Sequence, residues 1–219
     1  MSVSIFMPIY NGIEYIHESI PSIINQTYQE WELIIGINGH EENSDVYQQA
    51  KEYESKDQRI KVYDFHTLKG GKSETLNHML QFSNYDWISI LDVDDIWLPT
   101  KLESQIHWCF KYDVIGTQCQ YIGDSNAIPS IPSGDLLNVD FLQFNPIINS
   151  SCLLKKELCH WDGSLDLEDY DLWLRLWKQG KQFYNVNTIQ VFHRIHMSSA
   201  FNSQGNSSKV PLLKQKYMH

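Results

Sequence analysis

An open, mostly parallel β-sheet covered by helices is the α/β fold class this sequence predicts, and three observations predict it. Four short runs rich in large apolar residues recur through the first 120 residues. Segments with helical character separate them. Each run ends at turn-forming or acidic residues. A strand–helix–strand rhythm of this kind sets successive strands parallel, with helices on the sheet faces. With 219 residues, the chain is long enough for one large domain.

Residues 3–7 read as the first strand, stopped by Pro8. Ile13, Ile16, Ile20, Ile23 and Ile24 then share a helical face, with Pro21 expected to break or bend that helix. Residues 33–37 are the second strand, ended by the turn signal Asn38-Gly39. Residues 45–55 are polar and helical, and residues 59–65 are the third strand. Lys69-Gly70-Gly71-Lys72 is a tight basic turn, and Ser73 is placed to cap a helix carrying Leu76, Met79 and Leu80. Residues 87–91 are a buried strand running into Asp92-Val93-Asp94-Asp95. Pro99 or Thr100 opens the next helix, with Leu102, Ile106 and Phe110 facing inward.

From about Gly116 the rhythm weakens. Residues 128–134 are a loop rich in proline, serine and glycine, and residues 149–154 form a candidate strand. Residues 169–179 are helical, with Leu172, Trp173, Leu176 and Trp177 as the apolar stripe. Residues 191–195 are the last strand, and residues 201–219 read as a polar C-terminal tail.

Composition narrows the function. The 13% aromatic content excludes a disordered chain. A net charge of −10 argues against a protein that wraps nucleic acid, which needs a basic face. No apolar run reaches eighteen residues, and the opening residues lack the basic and apolar segments of a secretory signal. Cys109, Cys119, Cys152 and Cys159 contain no CxxC pair, so buried free thiols and a cytoplasmic location are expected.

Two acidic clusters are the main candidates for chemistry. Asp92, Asp94 and Asp95 follow a buried strand, where mutual repulsion and lost solvation call for a positive partner. A divalent cation would satisfy them, and so would a solvated turn at the start of the next helix. Glu168-Asp169-Tyr170-Asp171 opens the tryptophan-rich helix; it suits either the helix dipole or a general base. Lys69 and Lys72 are candidates for phosphate contact, or form a solvated basic turn. His193 and Ile195 should share one strand face, with Arg194 on the other, and His196 is a candidate metal ligand or a structural histidine.

The order of these signals resembles the family-two glycosyltransferases. The matching pieces are Ile5-Phe6-Met7-Pro8-Ile9-Tyr10-Asn11, Gly71-Lys72-Ser73, Ile90-Leu91-Asp92-Val93-Asp94-Asp95, Asn145-Pro146, Ser150-Ser151, Glu168-Asp169-Tyr170-Asp171-Leu172-Trp173 and Arg194-Ile195-His196. The resemblance implies the GT-A fold, a single Rossmann-like domain with a mixed, mostly parallel sheet. It implies a domain over residues 1–200, with a nucleotide-sugar half at 1–115, an acceptor half at 116–200, and a tail at 201–219. The implied reaction moves a sugar from a nucleoside-diphosphate sugar to a hydroxyl of a glycan or other acceptor, with inversion.

By the same resemblance, Asp92 lies near the ribose or a metal-bound water. Asp94, with Asp95 as an alternative and His196 completing the site, holds Mn2+ or Mg2+. Pro8 and Tyr10 border the base, Lys72 approaches the diphosphate or ribose, and Asp169 is the catalytic base with Glu168 assisting. Asn38 stands where the family usually has an aspartate. Its amide oxygen can accept from a ring N–H and its NH₂ can donate to a carbonyl; the resemblance implies UDP as the leading donor nucleotide, with thymidine and guanosine donors open. The competing readings are a non-catalytic sugar-nucleotide or glycan-binding domain, and a metal-dependent nucleotide-sugar hydrolase. Among residues that separate the two motifs, Asp124, Asp135 and Asn149 are polar acceptor-side candidates; Trp161 and Trp173 are candidate stacking platforms, with a core role favoured for Trp173.

Overall fold

The computed structural model describes residues 1–69, 71–196 and 204–218. In the first half, parallel strands alternate with helices. β1 (Val3–Ile9) is followed by a 3-10 turn (Ile13–Tyr15) and α1 (Ile16–Ile24), then β2 (Trp31–Ile37), α2 (Asp45–Lys51), β3 (Ile60–Asp64), α3 (Gly71–Met79) and β4 (Trp87–Ile90). The short β5 (Ile96–Trp97), α4 (Lys101–Ile106), β6 (Val114–Gly123) and β7 (Gly134–Asp135) follow. A 3-10 turn (Asn149–Ser151), β8 (Leu153–Lys155), α5 (Glu168–Lys178), β9 (Phe183–Ile195) and α6 (Gln204–Lys216) complete the described chain.

The strands form one mixed sheet in the order β3-β2-β1-β4-β8-β6-β9-β5, with β7 paired to β9. β1 is parallel to β2 and β4, and β2 is parallel to β3. The three-residue β8 runs antiparallel to both β4 and β6 and joins the two halves of the sheet.

Side-chain alternation along β1 builds two cores. Val3, Ile5, Met7 and Ile9 face α1 and α4 through Ile20, Ile23 and Leu102. Phe6 faces the opposite layer, where Leu76 and Met79 of α3 meet Leu172, Trp173 and Leu176 of α5. Because both faces are covered, the strands read as continuous apolar runs rather than alternating ones. No helix among the described residues is long and apolar enough to cross a membrane.

Several local expectations differ from the structure. β1 continues through Pro8 to Ile9, because its pairing with β4 ends at Phe6 and the missing proline N–H interrupts no bond to that neighbour. α1 runs unbroken through Pro21. Ser73 is the third residue of α3 and buried inside it, so it is not a cap. Phe110 is 82% exposed: α4 ends at Ile106, and the helical period that would have turned the ring inward stops with it. Residues 149–151 form a 3-10 turn, and the strand starts at Leu153. β9 begins eight residues before the expected Val191, where Asn185, Asn187, Thr188 and Gln190 interrupt the apolar pattern.

The segment read as a tail contains α6. Its Leu213 is fully buried, while Lys216 pairs with Asp162 and with the buried Asp171. Trp161 and Trp173 are 2% and 0% exposed, so neither is a surface for sugar stacking. All four cysteines are free and buried.

Candidate active site

The ends of β1, β2 and β4, the starts of α3 and α5, and the end of β9 supply the polar residues of one region. Open α/β sheets bind ligands beyond the carboxyl ends of their strands. Beside β1 and β2, a cavity of about 550 Å³ is lined by Tyr10, Asn38, His40, His66 and Lys69, among others. Asn38 is buried at its wall, whereas Tyr10 is 56% exposed. Gly39 has φ +77°, and a Cβ there would fall 2.0 Å from the Tyr10 ring, so only glycine permits this approach. Pro8 is buried within β1, next to this wall but not lining it.

The centre of the region is an ammonium among carboxylates. Lys72 Nζ lies 2.6 Å from Asp92 Oδ1 and 3.6 Å from Glu168 Oε1. Asp92 Oδ2 also accepts from Asn149 Nδ2 at 3.1 Å, and the Asp92 N–H donates to Ser150 Oγ. Burial works against the ionised Asp92, but Lys72 and Asn149 outweigh it and hold the carboxyl below its usual range. Burial likewise works against charged Lys72, and the carboxylates of Asp92 and Glu168 raise it well above the ordinary lysine value.

Asp169 behaves differently. Burial first, then the charge of Glu168, pushes its carboxyl up to about 6, while Lys72 opposes the rise. Its Oδ1 accepts from the Tyr170 N–H at 2.7 Å and its Oδ2 from Asn145 Nδ2 at 3.2 Å. A carboxylate poised near neutrality and held at both oxygens has the properties of a general base.

The remaining acidic residues divide by orientation. Asp94 Oδ2 lies 3.0 Å from His196 Nε2. Burial, followed by the charges of Asp95 and Asp92, raises the Asp94 carboxyl above its usual value. Asp95 is 0% exposed; its carboxylate receives His193 Nδ1 at 2.9 Å and the Arg194 N–H at 2.8 Å. Burial disfavours protonated His193, yet Asp95 outweighs this and lifts it to about 9. Arg194 also donates to the Asp94 carbonyl oxygen at 2.9 Å and pairs with Glu18. His193 through its ring and Arg194 through its backbone N–H meet the same carboxylate, a contact that leaves the expected opposite facing of their side chains intact.

Among the described residues, no three His, Cys, Asp or Glu side chains form a ready metal cage. Asp94 and His196 are adjacent, whereas Asp95 is turned inward. Asn145 received no individual role from the sequence, although Asn145-Pro146 stood among the matching pieces; Asn149 was an acceptor-side candidate, and its contact is with Asp92. The neighbouring motif positions were the only signal for these carboxylate contacts.

The fold and the acidic cluster at its strand ends define a class, the GT-A glycosyltransferases. Solved structures share the fold. The S. aureus TarS fragment in complex with UDP superposes with a TM-score of 0.76 at 16% identity, covering 99% of this chain and 65% of that one. The mannosyltransferase PcManGT from Pyrobaculum calidifontis, in complex with GDP-Man and Mn2+, gives 0.74 at 13% identity, covering 97% and 62%.

Sequence narrows the class. Residues 4–156 match the model for Glycosyl transferase family 2, and the chain belongs to that family. It is 30% identical over 213 residues to the O-antigen biosynthesis glycosyltransferase WbnJ of Escherichia coli, covering 92% of this chain and 82% of WbnJ. It is also 30% identical over 225 residues to the E. coli enzyme WfgD, named a UDP-Glc:alpha-D-GlcNAc-diphosphoundecaprenol beta-1,3-glucosyltransferase, covering 98% and 83%.

Proposed function

We propose that the protein is a metal-dependent inverting glycosyltransferase that moves a sugar from a nucleoside-diphosphate sugar to a hydroxyl of a glycan or glycan-linked acceptor, with Asp169 as general base. The observation that carries this reading is the shared ammonium. Lys72 joins Asp92, at the end of the β4 strand, to Glu168, beside Asp169 at the start of α5. On this reading, donor and base would share one cleft. Residues 1–115 would serve mainly the donor and residues 116–200 the acceptor.

UDP is the leading donor nucleotide. The TarS complex with UDP and the UDP-Glc in the WfgD name support it, whereas the GDP-Man complex of PcManGT keeps a guanosine donor open. Asn38 presents an amide that can both donate to and accept from a pyrimidine edge, with Tyr10 lining the same cavity.

One carboxylate and one imidazole with exposed edges fit a cation whose other positions go to phosphate and water, so Asp94 and His196 would hold Mn2+ or Mg2+. When bound, the cation supplies Lewis acidity that stabilises the departing diphosphate. Asp95 would support Asp94 from behind through Arg194 instead of serving as a ligand. Lys72 stays charged and donates to the diphosphate or ribose. Asp169, ionised near pH 7, takes the proton of the acceptor hydroxyl as that oxygen attacks opposite the leaving group. Asn145 and the Tyr170 N–H keep its carboxylate aimed, and Glu168 holds the charge balance with Lys72. The four free cysteines fit a cytoplasmic location.

Thermal stabilisation by UDP-, GDP- and dTDP-sugars with Mn2+ identifies the donor, because a ligand of the folded state raises the melting temperature. Asp169→Asn should then reduce turnover by about 10²–10⁴-fold with donor affinity nearly unchanged. Retained turnover would remove Asp169 from the role. Diphosphate release that needs no acceptor would favour a hydrolase instead.

A further inference from the structure

Beneath the site, three consecutive backbone carbonyls are each taken by a side chain from one short segment. Trp97 Nε1 donates to the Ser150 carbonyl at 2.7 Å. Gln105 Nε2 donates to the Ser151 carbonyl at 2.8 Å and to the Ile115 carbonyl at 2.7 Å. Lys101 Nζ donates to the Cys152 carbonyl at 3.3 Å and to Ser89 Oγ at 2.5 Å, and Ser89 Oγ donates to the same carbonyl. Lys101 and Gln105 stand four residues apart on α4 and so share one helix face, and Trp97, at the end of β5, joins them at the same turn. Lys101 and Gln105 are both fully buried.

This arrangement is expensive to maintain. Among the described residues Lys101 has no carboxylate partner; its ammonium lies among neutral oxygens and 3.8 Å from the Trp97 ring centre. Burial drives it down to about 7. Gln105 Oε1 is buried without a hydrogen-bond partner. A packed apolar helix face would avoid both penalties. What these residues hold is the turn Asn149–Ser151 and the residue after it. That same turn sends Asn149 Nδ2 and Ser150 Oγ up to the carboxylate and backbone of Asp92.

We infer that Trp97, Lys101 and Gln105 are positioning residues for donor binding: they fix the carbonyl side of the 149–152 turn, and through Asn149 and Ser150 that turn sets the orientation of the Asp92 carboxylate. The inference rests on the reading of Asp92 as a donor-binding residue. It adds a support shell that reaches the donor from the far side of the sheet, through residues that touch no substrate.

A double-mutant cycle tests it. The affinities of UDP and GDP, each with Mn2+, are measured by calorimetry for the wild type, Gln105→Leu, Asn149→Ala and the double variant, at a temperature where circular dichroism shows all four folded. Gln105→Leu and Asn149→Ala should each weaken binding of the preferred nucleotide by about tenfold, the scale of one well-placed hydrogen bond. The double variant should be no weaker than about tenfold, because both changes break one chain of contacts. Trp97→Phe keeps an aromatic side chain in the core and loses the indole N–H bonded to Ser150 along with part of the ring packing; it serves if Gln105→Leu does not fold, and it should raise the donor KM several-fold with acceptor KM unchanged. Multiplying effects in the double variant would overturn the inference. So would wild-type nucleotide affinity in Gln105→Leu or Trp97→Phe. A wild type that binds neither nucleotide would instead overturn the donor reading, and this inference with it.

Discussion

Replacing Lys72 with methionine keeps most of the aliphatic stem and removes the ammonium that lies 2.6 Å from Asp92 and 3.6 Å from Glu168. The consequence for the base follows from its surroundings. Asp169 already sits at about 6, raised by burial and by Glu168, with Lys72 as the charge that restrains the rise. Loss of a nearby opposite charge moves a carboxyl by roughly one to three pKa units, and about one is the safer figure because Lys72 is a third exposed. The acid limb of kcat/KM should therefore move from about 6 to about 7 or above. At pH 7 the ionised fraction of the base would fall from about nine-tenths to about one-half or less. The sign is fixed: a raised carboxyl pKa loses base function from the acid side, so activity should recover as the pH rises. A pH series of kcat/KM for the wild type and Lys72→Met checks this. The limb position is independent of any uniform loss from weaker donor binding. An acid limb that stays at about 6 in Lys72→Met would refute the electrostatic link between Lys72 and Asp169.

Two further outcomes are expected. Asp94→Asn and His196→Ala should each raise the Mn2+ concentration for half-maximal transfer by about tenfold or more, the scale of losing one ligand or its support; an unchanged metal titration would remove that residue from the site. Lys216→Met leaves the 4%-exposed Asp171 with Tyr217 as its partner and should lower stability by about 1–2 kcal/mol, discounted because Lys216 is 42% exposed. Chemical denaturation measures this, and an unchanged midpoint would show that α6 is not fastened through that pair.

Much of the candidate site at the strand ends was legible because local rules determine it. A buried strand that runs into Asp92, Asp94 and Asp95 must deliver those residues to the sheet end, and Asn38-Gly39 had to turn there too. The start of α5 was equally readable, since its tryptophan-rich stripe fixed the helix and left Glu168 and Asp169 at its first turn. Other features depend on contacts between segments far apart in sequence. Nothing local marks Asn145 or Asn149 as a carboxylate partner, because Asn145 lies in irregular chain and Asn149 opens a single 3-10 turn too short to show a period. β8 has three residues and enters the sheet antiparallel, against the rhythm of the first half. Asp95 looked like its neighbours until its burial against His193 and Arg194 was visible. α6 was hidden by its polar composition, and a single buried Leu213 gives too little pattern to announce a helix.

The ammonium at Lys72 answers to carboxylates contributed by widely separated stretches of the chain. Chimeras that graft the proposed acceptor half from one relative onto the proposed donor half of another would have to preserve this charge balance across the junction. A graft that brought a neutral residue to position 168, or removed the lysine, would alter the proton affinity of Asp169, the proposed base, even where every backbone segment docked correctly. Libraries aimed at new acceptors should therefore hold Lys72 and Glu168 as a matched set and place their diversity elsewhere.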